Sequence, residues 1–279
     1  MSDQVERAER FRALHHAAHP LVLPNAWDVP SARIFEDAGF PAVATSSAGL
    51  MVSLGYPDGE EMPRRELVRA VERIASRLAV PLSADVVAGY GPSARAVAST
   101  VRAMVRAGAV GINLEDGSHA TEALAPVAGQ IAKLKAVRAV ADSVGVPLVI
   151  NARTDALRYA PGDPAAKLRE AIARLRAYRD GGADCVYPMG LADAAAISTV
   201  VSALGCPVNV MVRPGLPPVA ELERLGIKRI SFGPAASYAA LGLLQRASEE
   251  VRVRGTYSLL TEGAITFDEL NRLAVSRPA

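Results

Sequence analysis

Cysteine is almost missing from this 279-residue chain: Cys185 and Cys206 each sit inside an apolar run, at no metal-ligand spacing. A disulfide-dense scaffold and a cysteine zinc centre are thereby excluded, and two small buried hydrophobes in a reducing cytoplasm are expected. Histidine is scarce too, with His15, His16 and His19 near the start and His119 further on. No charge of one sign prevails, since 31 Lys and Arg face 29 Asp and Glu. Without a basic block interleaved with aromatics there is no electrostatic footprint for nucleic acid. Long apolar runs are also lacking; none approaches the ~18 residues of a membrane span, and the opening MSDQVERAERFRALHH has no apolar signal core. A soluble, cytoplasmic protein without nucleic-acid or membrane partners is expected. Nor does a G-x-G-x-x-G loop follow the first apolar run, which counts against a dinucleotide-binding open sheet.

What the chain does contain is alternation. Short apolar runs rich in β-branched residues, at 21–25, 42–46, 81–85, 110–115, 147–153, 184–189, 206–211 and 229–233, are separated by longer amphipathic stretches. In RRELVRAVERIASRLAV (64–80), Leu67, Val71, Ile74 and Leu78 recur at helical spacing. Gly or Pro marks most joints from helix into strand, as in VGVPL and LGCPV, where a left-handed residue closes the helix. Eight such units predict an α/β fold, a (β/α)₈ TIM barrel over residues 1–255, with an open doubly wound sheet as runner-up. Residues 256–279 read as a C-terminal helical extension of the same domain, an oligomer or lid element.

In such a barrel the C-terminal strand ends line one pocket. Here they carry acids, one arginine, two serines and several amides, Asn209 among them, while the opposite ends offer mostly Pro, Gly and Ala. Asp85 closes the third run, Glu115 the fourth, and Asp58 lies in the loop LGYPDGEE after the second. Neighbouring carboxylates repel unless a cation or retained protons neutralise them. Oxygen ligands without His or Cys nearby suit Mg²⁺, with Mn²⁺ as a substitute. Taken alone, Asp85 could equally be a turn residue. Arg153 ends INAR facing these acids, either in an ion pair with Asp155 or Glu115 or as a fork for a substrate carboxylate or phosphonate. The stretch TSSAGL offers Ser46, Ser47 and Ala48 as an anion nest or as a plain loop. Trp27 either closes the pocket floor or packs in the core. His15, His16 and His19 read as solvated, and His119, in the loop after Glu115, as the histidine placed for acid–base work.

The segments PNAWD, SSAGL followed by LGYPDGE, DVVAGYG, GINLEDG and INARTDA, in that order, resemble the isocitrate lyase/phosphoenolpyruvate mutase superfamily over roughly residues 20–255. The resemblance implies a barrel, a homodimer or homotetramer joined through its last helices, and Mg²⁺-assisted making or breaking of C–C or P–C bonds beside a 2-oxo acid. It implies Asp85 as the direct metal ligand, Asp58 and Glu115 as holders of the metal's waters, and Ser46, Ser47 and Ala48 as holders of the oxo-acid carboxylate. Arg153 matches the arginine that grips substrate, and Gly89, Tyr90 and Gly91 match the tight turn after the metal strand. Three departures stand out. Val87 replaces the second acid of an Asp-x-Asp motif; the loop DGSHATEALAPV lacks the Cys and Lys of classical lyases; and Met189 stands where lyases have Glu and the mutase has His.

The expected function is a Mg²⁺-dependent lyase that cleaves a C–C bond of a small 2-oxo or 2-hydroxy mono- or dicarboxylic acid through a metal-stabilised enolate. Its expected catalytic set is Arg153, Asp58, Tyr90 and His119, with Trp27 and Asn209 joining Arg153 and the serine loop around substrate. A carboxyphosphonoenolpyruvate-type phosphonomutase and a non-catalytic 2-oxo acid binding protein are the alternatives.

Overall fold

The eight apolar runs all become strands, and their parallel pairing closes a barrel. In the computed structural model, which describes residues 2–118 and 120–275, the strands are β1 (Leu21–Leu23), β2 (Asn25–Ala26), β3 (Val43–Thr45), β4 (Leu82–Asp85), β5 (Gly111–Glu115), β6 (Gly117–Ser118), β7 (Ala123–Leu124), β8 (Val149–Thr154), β9 (Cys185–Pro188), β10 (Asn209–Met211) and β11 (Arg229–Ser231). One parallel ladder runs β2-β3-β4-β5-β8-β9 and another β1-β11-β10. A parallel bridge from Val186 to Val208 joins the two on one side. On the other side β1 and β2 are one run interrupted at Pro24, which has no N–H to give the ladder. Its carbonyl still accepts from the Ala44 N–H at 2.8 Å, so the wall stays closed. The antiparallel hairpin β6–β7, in the loop after β5, had no counterpart in the sequence pattern.

The helices follow their apolar spacing. Arg64–Ala75 buries Leu67, Val71 and Ile74 toward the barrel, each contributing roughly 2 kcal/mol of apolar burial. It stops at Ser76, short of the expected residue 80, and Leu78 is buried beyond its end. Val127–Val144 and Ala194–Leu204 end on Gly145 (φ 67°) and Gly205 (φ 60°), the left-handed stops read from VGVPL and LGCPV. Cys185 is buried as expected, whereas Cys206 is half-buried; both are free. Among the described residues no helix is long and apolar enough to cross a membrane. After the Ala235–Arg254 helix, the chain forms the short Ser258–Thr261 helix and then Phe267–Val275. The last packs on Val29–Asp37, where Arg272 meets Asp37 at 2.8 Å.

The N-terminal helix, Ser2–Leu14, plugs the floor of the barrel. Its Phe11 is fully buried against Gly111, where an added Cβ would fall 2.5 Å from the ring. This position corrects one expectation: His15 is not solvated but 1% exposed. Its Nδ1 donates to the Phe11 carbonyl at 2.8 Å, leaving Nε2 to face Nη1 of Arg229 at 3.4 Å. His16 and His19 are exposed, His19 beside Glu223. Burial, followed by the charge of Arg229, lowers the His15 pKa to about 3. The unfolded chain therefore binds a proton near pH 6.5 that the folded chain refuses until about pH 3. Between those values stability falls as pH falls, by up to about 1.4 kcal/mol per pH unit. In urea titrations at pH 6 and pH 4, His15→Gln should show a shallower loss of stability than the wild type. Equal losses would mean that His15 does not titrate on unfolding.

Candidate active site

The strand ends enclose a cavity of about 210 Å³, room for roughly seven waters or one small organic acid. Alternation along the strands points residues two apart into it: Ser83 with Asp85, Asn151 with Arg153, Asn209 with Met211, and Arg229 with Ser231 all line it. A TIM-barrel interior is ordinarily packed with branched apolar residues; this one is polar. The cavity runs from Asp58 and Tyr238, both exposed, to the fully buried Asn151 and Arg229.

Asp85 sits at the tip of β4 with its carboxylate held on both oxygens. Oδ1 accepts from Asn113 Nδ2 at 3.1 Å and from the Val87 N–H at 3.2 Å, and Oδ2 accepts from the Ser47 N–H at 3.3 Å. Asn151 in turn donates to Asn113 Oδ1 at 2.9 Å, so a chain of amides orients the carboxylate from below. Val87 adopts φ 53°, a left-handed conformation uncommon for a β-branched residue. It is held there because its N–H reaches Asp85 and its carbonyl accepts from the Glu115 N–H at 2.9 Å. Where an acid was expected, position 87 thus supports Asp85 through its backbone.

A second cavity, about 320 Å³, adjoins the first and is lined by Asp58, Glu60, Glu61, Val87 and Glu115. Asp58 lines both. The three expected metal carboxylates therefore bracket the junction of the two cavities instead of forming a cage. Among the described residues no three His, Cys, Asp or Glu side chains converge closely enough to hold an ion directly. One reason is that Glu115 Oε2 is engaged by Arg153 Nη1 at 2.8 Å.

For Arg153 both readings of the sequence apply: it forms the ion pairs and also faces the cavity. Beyond Glu115 it contacts Asp155 through Nη2 at 2.7 Å and Nε at 3.0 Å, and its guanidinium lies 5.9 Å from the Tyr187 ring. Three of its five N–H donors are spent on these carboxylates, leaving two. Burial opposes its charge, but Glu115 and Asp155 outweigh burial and hold Arg153 protonated. Burial likewise pushes the Glu115 carboxyl up; Arg153 pulls it down, and Asp155, Asp85 and Asp58 push it up again, leaving the net shift upward.

Ser46, Ser47 and Ala48 all line the cavity. Ser46 caps the Ser47–Ser53 helix by accepting from the Gly49 N–H, and Ala48, in the first turn, has no intrahelical acceptor for its own N–H. Gly49 lets this helix approach Ala235–Arg254, since a Cβ there would lie 2.9 Å from Ser237 Oγ. Asn209 lines the cavity too; its amide nitrogen reaches the Val210 and Arg229 carbonyls, and its oxygen accepts from Ser231.

Two expected site residues lie elsewhere. Trp27 lines a separate groove with Leu50, Leu54 and Arg69, because β2 ends at Ala26 and the chain turns outward into the Asp28 cap of the next helix. Tyr90, at φ 61°, is not among the residues lining either cavity; its N–H donates to Glu60, and the charges of Glu60, Asp85 and Asp58 act on its half-buried phenol. His119 lies outside the described residues. Asp116 reaches the strand end but serves structure, accepting from Thr154 Oγ1 at 2.7 Å and Tyr178 Oη at 2.6 Å. Conversely, Tyr187, Arg229, Ser231, Ser83 and Tyr238 line the cavity without having been singled out. For the first four a signal existed: each shares the inward face of a strand with a residue two positions away.

This chain belongs to the isocitrate lyase/phosphoenolpyruvate mutase superfamily; the family model described as phosphoenolpyruvate phosphomutase matches residues 11–252. Among solved structures it is similar to a putative lyase/mutase from Burkholderia cenocepacia J2315, at 36% identity and TM-score 0.91, covering 99% of this chain and 98% of that one. It is also similar to oxaloacetate acetylhydrolase in complex with the product oxalate, at 27% identity and TM-score 0.85, covering 96% and 93%. Among curated proteins, 2-methylisocitrate lyase of Escherichia coli K12 is 28% identical over 93% of this chain and 89% of its own length. Its relatives of established activity are thus enzymes, mostly ones that act on C–C bonds of small carboxylic acids.

Proposed function

We propose that this protein cleaves a C–C bond of a small 2-oxo or 2-hydroxy acid, assisted by Mg²⁺, or Mn²⁺ in its place, at Asp85. The observation that carries this reading is the joining, in one 210 Å³ cavity, of two carboxylates, a braced arginine and a helix start. The donor set suits a hard cation that takes few protein carboxylates and keeps several waters. Asp85 is the direct ligand in this reading, and Asp58 and Glu115 hold the cation's waters. When bound, the cation supplies positive charge to the acid's oxygens as the bond breaks.

The chain's own residues do the rest. Glu115 and Asp155 fix the angle of Arg153, so its two remaining donors hold a carboxylate without reorganising. Ser46, Ser47 and Ala48 hold the oxo-acid end. Tyr187 stays a neutral phenol, because burial raises its pKa; its one O–H donates to Met189 Sδ at 2.7 Å, and would turn from that weak acceptor to serve developing negative charge. With Tyr90 outside the cavity, a water carries the proton. The oxalate held by the related acetylhydrolase supports an oxo-acid-sized ligand. A second copy of the chain completes the reading: Tyr238, Leu241, Leu244 and Phe267 expose apolar surface along the C-terminal helices, which burial in a dimer or tetramer would remove from water.

A mass-spectrometric screen of 2-oxo and 2-hydroxy acids with and without Mg²⁺ should show cleavage that depends on the metal. Calorimetric binding without any product would replace the enzyme with a binding protein, and phosphorus NMR on phosphonates would reveal mutase turnover instead.

A further inference from the structure

The turn that follows the tip of β4 is strained, and two charged side chains that the chemistry above does not use hold it in place. From Val87 to Gly91 every residue except Ala88 has a positive φ, and two of these four, Val87 at 53° and Tyr90 at 61°, are not glycines. A side chain crowds the backbone in that conformation, which persists only where the surroundings over-determine it. Some of the holding is local. The Val87 N–H donates to Asp85 Oδ1 at 3.2 Å, the Glu115 N–H to the Val87 carbonyl at 2.9 Å, and the Gly89 N–H to the Val86 carbonyl at 2.9 Å. The Ala88 carbonyl and the Tyr90 N–H are met by side chains from other parts of the chain.

Lys133, in the second turn of the Val127–Val144 helix, takes the first: its Nζ donates to the Ala88 carbonyl at 3.0 Å. Glu60, in the loop of residues 54–63 that also carries Asp58, takes the second by accepting the Tyr90 N–H. Lys133 is 6% exposed, and among the described residues it forms no ion pair. Lysine is rarely buried so deeply unless it is paired. Burial lowers its pKa, and the charges of Glu60, Asp116 and Glu115, Glu60 foremost, oppose that shift without reversing it. A lysine buried for the sake of one carbonyl points to the importance of where that carbonyl lies.

What the turn controls is Asp85. The Val87 N–H shares Asp85 Oδ1 with Asn113, and the Ser47 N–H holds Oδ2 at 3.3 Å. With the outer grips released, Val87 can relax to an ordinary φ, and Asp85 loses the N–H that steadies Oδ1. We propose that Lys133 and Glu60 are positioning residues: they clamp the turn after β4 from two sides, and through Val87 they set the direction in which the Asp85 carboxylate is presented. The inference rests on the proposed function only for the cation that this carboxylate then takes.

Amide exchange by NMR on the full chain without metal reads the turn at Val87 and the carboxylate at Ser47. Lys133→Met keeps the length of the side chain and loses its donors. In it both amides should exchange about 10-fold faster than in the wild type, the size of one hydrogen bond to a charged group. Mg²⁺ alone, titrated calorimetrically, should bind about 10-fold more weakly, as when a group that orients a metal ligand is lost. Glu60→Ala, on an exposed loop, should repeat both effects at about 3-fold. Arg138→Met is the comparison. Arg138 lies on the same helix but serves the other end of the barrel, where it donates to the Leu148 and Gly182 carbonyls and pairs with Asp184. Its loss should lower the melting temperature and leave both amides and the Mg²⁺ affinity unchanged.

Unchanged exchange at Val87 and Ser47 in Lys133→Met, or equal acceleration in Arg138→Met, overturns the proposal. So does faster exchange with unaltered Mg²⁺ affinity. If Lys133→Met does not fold, Glu60→Ala decides alone by the same readouts. If the wild type binds no Mg²⁺, the proposed function falls, and Ser47 decides the clamp: faster exchange in the variants sustains it, and unchanged exchange overturns it.

Discussion

Asp85→Asn should lower kcat about 10³-fold and abolish the response to Mg²⁺, the largest loss expected of any single substitution in this chain. The variant keeps the size and the strand-tip position of the residue. Its amide oxygen can still accept from Asn113 and Val87, which share Oδ1 in the wild type. The amide nitrogen would then face the Ser47 N–H, whose 3.3 Å bond is lost. One such loss costs about 1 kcal/mol of stability, against roughly 4 kcal/mol of activation free energy for a 10³-fold rate effect. The two scales separate: melting should shift by a few degrees while turnover nearly vanishes. Steady-state kinetics across a Mg²⁺ titration, run beside thermal melts, reads both. Turnover within tenfold of the wild type would remove Asp85 from the metal and with it the proposed chemistry.

Arg153→Met should be the most destabilising change at the site. Arg153 bridges Glu115 and Asp155, both essentially buried. Taking one partner from a buried ion pair costs about 3–5 kcal/mol, because the remaining charge has no water to return to. In a domain of this size that lowers the melting temperature by roughly 10 °C. Arg153→Lys keeps the charge but has no planar fork to reach two carboxylates at fixed angles, so it should fall between the two in stability. Because Arg153 also faces the cavity, Arg153→Lys should retain less substrate affinity than its stability suggests, seen as a raised KM. A methionine variant as stable as the wild type would show that Glu115 and Asp155 lose their charge when Arg153 is removed.

Much of the architecture is local and therefore legible in sequence. The apolar runs that became β4, β5, β8 and β9 announced themselves because a strand buried on both faces needs a nearly unbroken apolar stretch. Gly145 and Gly205 announced their helix ends because a left-handed closing residue favours glycine. The rule that chemistry collects at the C-terminal strand ends then directed attention to Asp85, Glu115 and Arg153 from their place in the chain alone. Tyr90 and Trp27 escaped that reasoning because both follow a strand end, where the next few dihedral angles decide the direction of the side chain. At Tyr90 the backbone is left-handed, and at Trp27 the start of a capped helix turns the chain outward.

By itself, then, the sequence determined the order of elements, the closed parallel barrel they build, and which strand tips carry acids, amides and a guanidinium. The tertiary structure decided partnership. Glu115 and Arg153 are register neighbours across β5 and β8, although 38 residues separate Asn113 from its own partner Asn151 on the same two strands. Arg229 meets His15 only because β11 closes against β1 above the plug formed by the first helix. A pattern along one chain fixes the face on which a side chain emerges, since that depends on local dihedral angles. What the side chain meets beyond its own neighbours depends on the register between distant segments: that register adds Glu115 to the local Asp155 at Arg153, and leaves Arg229 without a carboxylate among the described residues.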